Sequence, residues 1–390
     1  MNIIIYNGNL EPPHFVNLLA NKLGEKEHSV FLAGTANYFF RKKKKKLVLI
    51  STDSNNFYLM MIHLIFNGWR LFFSKPQLFF KFIKLLFKSE KSVRIRIKQF
   101  LIWSKLIFIK ADIVHIQWAS HIILFEEILE EHLFKTVISL RGRLLNVSPY
   151  IDADLKELYI RNFPKVDAIH AVSKDILSNL SKLGIDAKKS RIIYSGVDLK
   201  NIPLKEIYDN SGILEVLSIG RFNWIKGYNY ALYAVKELLL KNINVHYTII
   251  ANGENEEIIY LIEELELQKN VTIVSELSHI EVLNKMISSD LLLLPSVSEG
   301  LANVVLEAMA VGLPVLSSNC GGMKEVITPH ENGWLFENRN PENMAFVIEE
   351  ILKMDNKSIE KMAINGKEYI NKNHNLEQMC DQMIELYHEL

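Results

Sequence analysis

The sequence has few cysteines and no long uncharged apolar run, and each shortage excludes a class of protein. Two cysteines among 390 residues, Cys320 and Cys380, cannot form a disulfide framework or a cysteine-based zinc site, so a reducing compartment is expected. No run of about 18 uncharged apolar residues is present, so no membrane-spanning helix is expected. The opening MNIIIYNGNLEPP lacks the basic start and long apolar core of a signal peptide and is expected to form a first strand.

Charge is balanced over the whole chain but not along it. Residues 1–205 contain 32 Lys and Arg against 17 Asp and Glu, a net +15, and the remainder has 13 against 28, a net −15. The composition, 49% hydrophobic and 23% charged, is that of a globular protein. Length and charge together predict two domains in different surroundings.

Short apolar runs alternate with helical patterns in two series, which predicts two parallel sheets covered by helices. Doubly wound sheets of this kind bind ligands at the carboxyl ends of their strands. The polar stretch Pro203–Gly212 separates the series. The predicted strands are Asn2–Tyr6, Val30–Ala33, Leu47–Ser51, Ile113–Gln117, Thr136–Leu140, Ala168–Val172 and Arg191–Tyr194, then Leu214–Ile219, Val245–Ile250, Val271–Val274, Leu291–Pro295 and Pro314–Ser317.

The first informative motif follows the strand Leu214–Ile219 and reads GRFNWIKG, from Gly220 to Gly227. Glycine allows a tight turn and close approach of backbone to a ligand. Arg221 offers a planar fork for phosphate oxygens and Lys226 a point charge, both where the next helix begins. The alternative is an ordinary strand–helix turn with two surface bases.

The second motif follows Leu291–Pro295 and places Glu299 just beyond a strand end. A predicted helix over Leu301–Ala310 carries Glu307 about two turns in. The free N–H groups of its first turn are suited to phosphate, and a carboxylate is suited to paired sugar hydroxyls. The alternative is a capped helix with two solvated acids.

Together the motifs resemble the retaining family-4 glycosyltransferases (glycosyl transferases group 1) of the GT-B fold. The similarity spans most of Ala168–Glu337, in consistent order. The matching segments are Gly220-Arg221…Lys226-Gly227, Pro295-Ser296…Glu299-Gly300 and Leu306-Glu307-Ala308-Met309-Ala310…Gly312…Pro314-Val315, with weaker matches at Ala171-Val172-Ser173, Ser195-Gly196-Val197-Asp198, Asn252-Gly253-Glu254 and Gly321-Gly322…Glu325.

The resemblance implies an α/β protein with two Rossmann-like doubly wound domains facing each other across a cleft. Residues 1–205 would bind the acceptor and 206–370 the nucleotide-sugar, and 371–390 would form a helix returning to the first domain. Arg221 and Lys226 would hold the diphosphate and stabilise the leaving group. Glu307 would bind the ribose, and Glu299 would lie near the transferred sugar. The backbone candidates for the donor are Gly220, Gly300, Leu301, Ala302 and Asn303.

The N-terminal half resembles the family less well. The usual glycine-rich first loop is reduced to one glycine, Gly8, which is a candidate for donor binding. Related enzymes often have a histidine near the end of the strand that carries His115, so His115 is a catalytic candidate, with a core histidine as the alternative. Arg141 follows another strand and is a candidate on the acceptor side, with a surface role as the alternative.

No metal or other cofactor is expected. Asp152-Ala153-Asp154 is a literal Asp-x-Asp, the metal-binding motif of GT-A transferases, but it leads into a helical pattern instead of following an apolar strand. In the GT-B interpretation Arg221, Lys226 and helix N-termini neutralise the phosphates.

A basic, aromatic segment interrupts the α/β pattern. Gly68–Lys110 holds eleven Lys and Arg and one acid, Glu90, among many aromatic residues, and the lysine run Arg41–Lys46 lies upstream. One interpretation is a pair of helices, within residues 69–110, on an anionic membrane surface, with Lys81, Lys84, Lys88 and Lys91 among the contacts. The other is solvated helices over an aromatic core. No nucleic-acid motif accompanies the segment, so nucleic acid is not expected as a partner.

The sequence thus predicts a hexosyltransferase-type retaining glycosyltransferase. It would move a sugar from a UDP- or GDP-linked donor to a lipid-linked or membrane-presented glycan in surface polysaccharide or lipopolysaccharide synthesis. The expected location is cytoplasmic and peripheral, on the inner face of the cytoplasmic membrane. The alternatives are a nucleotide-sugar epimerase of the same fold and a catalytically silent scaffold at the membrane surface.

Overall fold

The computed structural model describes residues 1–37, 41–44, 47–208 and 212–390. Contacts divide the chain into two compact units. Unit 1 comprises residues 1–172, 176–193 and 377–390, and unit 2 comprises 173–175 and 194–376. The division after Ile193 precedes the predicted boundary at Pro203–Gly212, within which residues 209–211 lie outside the described residues. Residues 45 and 46 of the predicted lysine run also lie outside them.

Unit 1 is built on a sheet that, within the described residues, has eight strands in the order β3-β4-β2-β1-β5-β6-β7-β8. All neighbours are parallel except β3 and β4. Central strands such as Ile3–Tyr6 are fully buried, as expected for a parallel sheet covered on both faces. The strands are β1 (Asn2–Asn9), β2 (Ser29–Ala36), β3 (Arg41–Lys44), β4 (Leu47–Ser54), β5 (Ile113–Ile116), β6 (Lys135–Leu140), β7 (Ala168–Ala171) and β8 (Ser190–Ile192).

The helices of the first half of the chain connect these strands. They are α1 (His14–Glu25), α2 (Phe57–Ser74), α3 (Pro76–Lys88), α4 (Val93–Ile109), α5 (Gly142–Asn146), α6 (Ser148–Ile151), α7 (Ala153–Asn162) and α8 (Lys174–Lys182).

Unit 2 is built on a parallel sheet that, within the described residues, has six strands in the order β11-β10-β9-β12-β13-β14. Its strands are β9 (Leu214–Arg221), β10 (Val245–Asn252), β11 (Val271–Val274), β12 (Leu291–Leu294), β13 (Val315–Ser318) and β14 (Trp334–Phe336). Its helices are α9 (Tyr228–Leu240), α10 (Glu256–Glu264), α11 (His279–Ile287), α12 (Asn303–Val311), α13 (Met323–Val326), α14 (Pro341–Leu352) and α15 (Asn356–Asn373).

The last helix, α16 (Leu376–His388), contributes to the core of unit 1. Cys380, Met383 and Tyr387 lie in the same apolar cluster as Ile3 and Ile5 of β1. On its outer side Asp381 pairs with Lys26, the residue that follows α1. The end of the chain therefore belongs to the unit in which the chain begins.

The two predicted series of strands are confirmed, and two strands were not predicted. The edge strand β3 consists of basic residues without apolar alternation, and β14 is three residues long. Across the described parts of the chain, no helix is both long enough and apolar enough to cross a bilayer.

Candidate functional site

Two loops at the carboxyl edge of the unit 2 sheet pack directly on each other. One connects β9 to α9, and the other connects β12 to α12. The strand β9 ends at Arg221, a 3-10 turn covers Trp224–Lys226, and α9 begins at Tyr228. Gly227 between them has φ 66°, in the left-handed region, and a Cβ there would overlap the carbonyl oxygen of Pro295. Glycine is therefore required by both conformation and space.

The contact between these loops brings the two sequence motifs into one site. Lys226 Nζ lies 2.7 Å from Oε1 of Glu299, and the Ser296 hydroxyl donates to the same oxygen at 2.8 Å. The backbone N–H of Val297 donates to Ile225 O at 2.6 Å, which ties the loops together. The side chains of Lys226 and Glu299 are 24% and 15% exposed. The pair is therefore partly shielded from solvent yet accessible to a ligand.

A glycine pair fixes the backbone on the other side of Glu299. Gly321 has φ 50°, and a Cβ there would overlap the carbonyl oxygen of Glu299. The N–H of Gly322 donates to Gly300 O at 3.1 Å. The loop that presents Glu299 is thus held between Lys226 and this glycine pair.

The helix α12 follows this loop and supplies an anion-binding end. Gly300 and Leu301 lead into it, Ala302 is its N-cap residue without a side-chain cap, and Asn303 is its first residue. The N–H of Val305 donates to Ala302 O at 3.0 Å, and the N–H groups that precede it are suited to an anionic or hydroxyl-bearing ligand.

Glu307, further along α12, contacts a residue that the sequence motifs did not indicate. Its Oε1 lies 3.2 Å from Nε2 of His279, the first residue of α11. This hydrogen bond to the carboxylate raises the pKa of His279. His279 belongs to a capping box formed by Ser278 and Glu281, so its sequence context indicated only a helix start.

Arg221 and Tyr228 complete the surroundings of Gly220. Arg221 ends β9 in register with Asn252 of β10, and its side chain is exposed. Tyr228 is buried beside Gly220; its hydroxyl has no hydrogen-bond partner in the part of the chain that the structure describes. Burial raises the pKa of Tyr228, which keeps the hydroxyl protonated as a potential donor. Tyr228 was not predicted from the sequence, and Ser296 lay in a matching segment without an assigned role.

His115 lies in the core of unit 1. Its Nδ1 is 2.6 Å from the Tyr387 hydroxyl of α16, and its Nε2 is 2.7 Å from Ser139 Oγ. Ser139 in turn contacts His170 Nδ1 at 2.8 Å. Burial lowers the pKa of His115 well below its usual range, so the ring is neutral at physiological pH. With both ring nitrogens bonded and no exposed surface, the structure favours the core alternative over the catalytic one.

Arg141 lies at the carboxyl end of β6, beside the end of β5. Its guanidinium is 4.4 Å from the ring centroid of Phe15, and Nη2 donates to Gln117 Oε1 at 3.2 Å. Burial lowers the pKa of Arg141 to about 10, so it stays charged at neutral pH. Arg141 Nε and Gln117 Nε2 are buried N–H donors without a partner among the described residues. Gln117 was not predicted from the sequence.

Gly8 borders a separate cavity of about 360 Å³ in unit 1. Residues of β1, β2 and β4 line the cavity, and α4 contributes basic side chains to it. Lys98 of α4 pairs with the buried Asp53 at 2.9 Å. Burial lowers the pKa of His121, which packs against Gly8, to about 4. The remaining lining includes Tyr6, Thr35, Ser92 and Arg94.

The Asp-x-Asp sequence occupies a helix start. The Asp152 carboxylate accepts from Leu155 N at 2.9 Å and caps α7. Among the described residues, no group of three or more His, Cys, Asp or Glu side chains is arranged to hold a metal.

Comparison with known proteins identifies two sequence families that together span most of the chain. Residues 206–369 match the family described as "Glycosyl transferases group 1", and residues 15–201 match "Glycosyltransferase Family 4". The first match contains both motifs of unit 2.

Similar proteins of known name include two from bacteria. WcaL of Salmonella typhimurium, named as a colanic acid biosynthesis glycosyltransferase, is 24% identical over 63% of this chain and 64% of its own length. The amylovoran biosynthesis glycosyltransferase AmsK of Erwinia amylovora is 28% identical over 50% of this chain and 49% of its own. Both matches span less than two thirds of the relative.

Among solved structures, Anabaena HepE in complex with UDP and glucose matches with a TM-score of 0.72 and 16% identity, covering 100% of both chains. At this identity the likeness establishes the fold, which is GT-B with two Rossmann-like parallel-sheet units.

Proposed function

Since the chain belongs to the family-4-like glycosyltransferases of the GT-B fold, we propose that it transfers a sugar from a nucleotide-sugar to a glycan acceptor. The observation that carries the proposal is the Lys226–Glu299 pair beside the uncapped start of α12. It combines a cation, a carboxylate and free N–H donors at the carboxyl edge of one sheet. That combination fits a ligand with both phosphate and sugar groups.

Each residue of the unit 2 site has a role in this proposal. Arg221 and Lys226 hold the diphosphate, and the N–H groups around Gly300 donate to phosphate or sugar oxygens. Glu307 accepts from the ribose hydroxyls, and Glu299 lies near the transferred sugar. The bound UDP in the Anabaena structure supports a nucleotide-sugar as donor. Its nucleotide is proposed to be UDP or GDP.

The reaction proposed is transfer of a hexose with retention of configuration. The bond from the anomeric carbon to the leaving phosphate breaks as the acceptor oxygen attacks the same face. The acceptor proton passes to the departing phosphate oxygen. Arg221 and Lys226 stabilise the charge that develops on the phosphate, and no metal is required for that task.

The acceptor is proposed to bind in unit 1. The unpartnered donors of Gln117 and Arg141 lie at the carboxyl ends of β5 and β6. Gly8, which stays a candidate for donor binding, borders a cavity in the same unit. The relatives named for colanic acid and amylovoran biosynthesis support a polysaccharide as product. We propose that it is a surface polysaccharide or lipopolysaccharide. Such a glycan would be lipid-linked or presented at the cytoplasmic face of a membrane.

A donor screen tests the function. Purified protein is incubated with UDP-, GDP- and ADP-sugars, and thermal stabilisation and release of the nucleoside diphosphate are measured. We expect one nucleotide series to stabilise the protein and to be slowly hydrolysed. Interconversion of the sugar without nucleotide release would identify the epimerase alternative. If no nucleotide-sugar binds, the proposed transferase function is rejected and the catalytically silent scaffold is favoured.

The proposed chemistry predicts independence from divalent metal. Excess EDTA should leave nucleotide release and sugar transfer at their initial rates, because Arg221, Lys226 and the α12 N-terminus supply the positive charge. A parallel reaction with added magnesium or manganese serves as control. Loss of transfer in EDTA that either metal restores would contradict this prediction.

The His279–Glu307 contact predicts a pH dependence of donor binding. The folded pKa of His279 is raised by Glu307, so the ion pair is present at low pH and is lost as pH rises through that pKa. Protonated His279 is paired with the carboxylate of Glu307, and this pairing competes with the proposed hydrogen bonds from the ribose hydroxyls. Affinity for UDP-glucose, measured by calorimetry, should therefore increase as pH rises across the histidine range.

The variant His279→Ala provides the comparison for this prediction. It should bind UDP-glucose with nearly constant affinity over the same pH range. An unchanged pH profile in His279→Ala would assign the dependence to another group.

A further inference from the structure

The helix α2 exposes an apolar stripe to solvent. Its inner side, which includes Met60 and Leu71, is buried and packs toward α4. Its outer side carries large apolar residues at helical spacing. Those residues, with their exposed fractions, are Tyr58 (81%), Ile62 (60%), Ile65 (61%), Phe66 (62%), Trp69 (66%) and Phe73 (70%). Soluble monomers rarely expose a continuous apolar surface of this size.

The neighbouring helix α3 adds alternating aromatic and basic residues. Phe80 and Phe87 are 60% and 80% exposed, and Lys84 and Lys88 are exposed beside them. Contacts among Phe72, Phe79 and Phe80 join α2 to α3. Residues 57–88 contain five Lys and Arg and no Asp or Glu.

Only part of the segment that was predicted to contact a membrane is exposed in the structure. The helix α4 is interior: Phe100, Trp103 and Leu106 are buried, and Trp103 Nε1 donates to Leu124 O at 2.9 Å. Two of the four lysines expected at a membrane are instead paired within the protein. These pairs are Lys81 with Glu131 and Lys91 with Glu126 and Glu127.

An apolar cavity of about 250 Å³ adjoins the same helices. Its lining includes Leu64 of α2, Leu86 of α3 and Ile97 of α4. The exposed side chains of Phe87 and Val93 also line it. Among the described residues of its lining, Arg96 alone is charged. A hydrocarbon chain can pack against this apolar lining, whereas an acidic peptide would find few polar partners in it.

We propose that α2 and the exposed side of α3 dock the protein on an anionic lipid bilayer, with the α2 stripe in the interfacial region. The aromatic and aliphatic side chains supply apolar burial, and Lys84 and Lys88 contact the headgroups. The absence of acids in residues 57–88 matches the negative sign of the surface. This inference rests on the proposed function only for its purpose, which is to bring the enzyme to a membrane-presented acceptor.

The test is co-sedimentation of the full chain with vesicles, without donor or acceptor. Vesicles of phosphatidylglycerol with phosphatidylcholine are compared with phosphatidylcholine alone, at low and high ionic strength. We expect binding to the anionic vesicles that weakens but persists at high salt, because salt screens only the charge contribution. Absence of binding to anionic vesicles at low salt, or equal binding to both kinds, would overturn the proposal.

Two double variants separate the contributions, each with a matched control in unit 2. Lys84→Glu with Lys88→Glu should weaken binding at least about 30-fold at low salt, whereas Lys357→Glu with Lys361→Glu, the same charge change on α15, should not. Trp69→Ser with Phe73→Ser should abolish the salt-resistant binding, whereas Phe346→Ser with Ile364→Ser should not. Equal losses in variants and controls would contradict the assignment of the surface.

Two further readouts separate lipid docking from self-association and from a loss of catalysis. Analytical ultracentrifugation of the Trp69→Ser, Phe73→Ser variant tests self-association; conversion of an oligomer to a monomer with unchanged vesicle binding would assign the stripe to a second copy. Hydrolysis of a nucleotide-sugar in vesicle-free solution should be equal in wild type and both unit 1 variants. If the wild type hydrolyses the nucleotide-sugar but does not bind vesicles, the docking proposal is rejected and the proposed function is not. If the wild type binds vesicles but does not hydrolyse the nucleotide-sugar, the proposed function is rejected and the docking proposal is not.

Discussion

Replacing Lys226 or Arg221 by alanine should lower turnover at least about tenfold in each case. Both side chains are proposed to hold the diphosphate whose charge grows as the sugar departs. Loss of one charge-assisted hydrogen bond is worth roughly 1.5–3 kcal/mol, which corresponds to about ten- to a hundredfold in rate. The measurement is nucleotide release and sugar transfer at saturating donor.

The effect of Lys226→Ala should be larger than that of Arg221→Ala. Lys226 also neutralises Glu299 at 2.7 Å, so its removal leaves a partly shielded carboxylate near the phosphates, whereas Arg221 is exposed. Lys236→Ala is the matched control, because Lys236 of α9 is paired with Glu266 away from the site. Wild-type turnover in both site variants, with folding intact, would reject the proposed phosphate site.

Much of the architecture follows from the sequence because parallel strands buried on both faces must be continuously apolar. The run Leu291–Leu294 is an example: all four residues are buried in β12. The rule does not apply to β3, which lies at the edge of the sheet and, within the described residues, pairs with β4 alone. The division at Ile193 likewise could not be read from composition, because it depends on which sheet each residue contacts.

In unit 2 the resemblance assigned Lys226 to the diphosphate and Glu299 to the transferred sugar, without a contact between the two side chains. Only the folded chain shows their direct ion pair. No role was predicted for Ser296 or His279, because a serine after a strand and a histidine inside a capping box have common structural uses. The contact of His279 with Glu307 joins residues distant in sequence, whereas that of Ser296 with Glu299 is local.

In unit 1 the local pattern was a poorer guide. A histidine on a strand is compatible with both a core and a catalytic position, and the decisive partner of His115 is Tyr387, 272 residues away. The basic aromatic segment was similarly ambiguous, because α3 and α4 share a composition while only α3 exposes its aromatics. Burial, which distinguishes them, is set by tertiary packing.

Glu299 and Glu307 should respond differently to replacement. Glu307→Ala should weaken binding of UDP-glucose about tenfold with little change in kcat, because the ribose contact is the same in the ground state and the transition state. Glu299→Ala should lower kcat at least about tenfold with a smaller change in affinity, because it lies where charge changes during transfer. Calorimetry gives the affinities and initial rates give kcat. The control Glu349→Ala, which removes the partner of Lys241 elsewhere in unit 2, should change neither.

The variant Glu299→Gln shows whether Glu299 acts through its charge. The amide oxygen can still accept from the Ser296 hydroxyl, which now bonds the carboxylate at 2.8 Å, but it cannot neutralise Lys226. If the negative charge contributes to the transition state, Glu299→Gln should be as slow as Glu299→Ala. If the carboxylate only positions the loop, Glu299→Gln should retain most of the activity, since Gly321 and Gly322 still brace the backbone. Equal losses of affinity in the Glu299 and Glu307 variants, with kcat unchanged in both, would reject the division of roles between the two carboxylates.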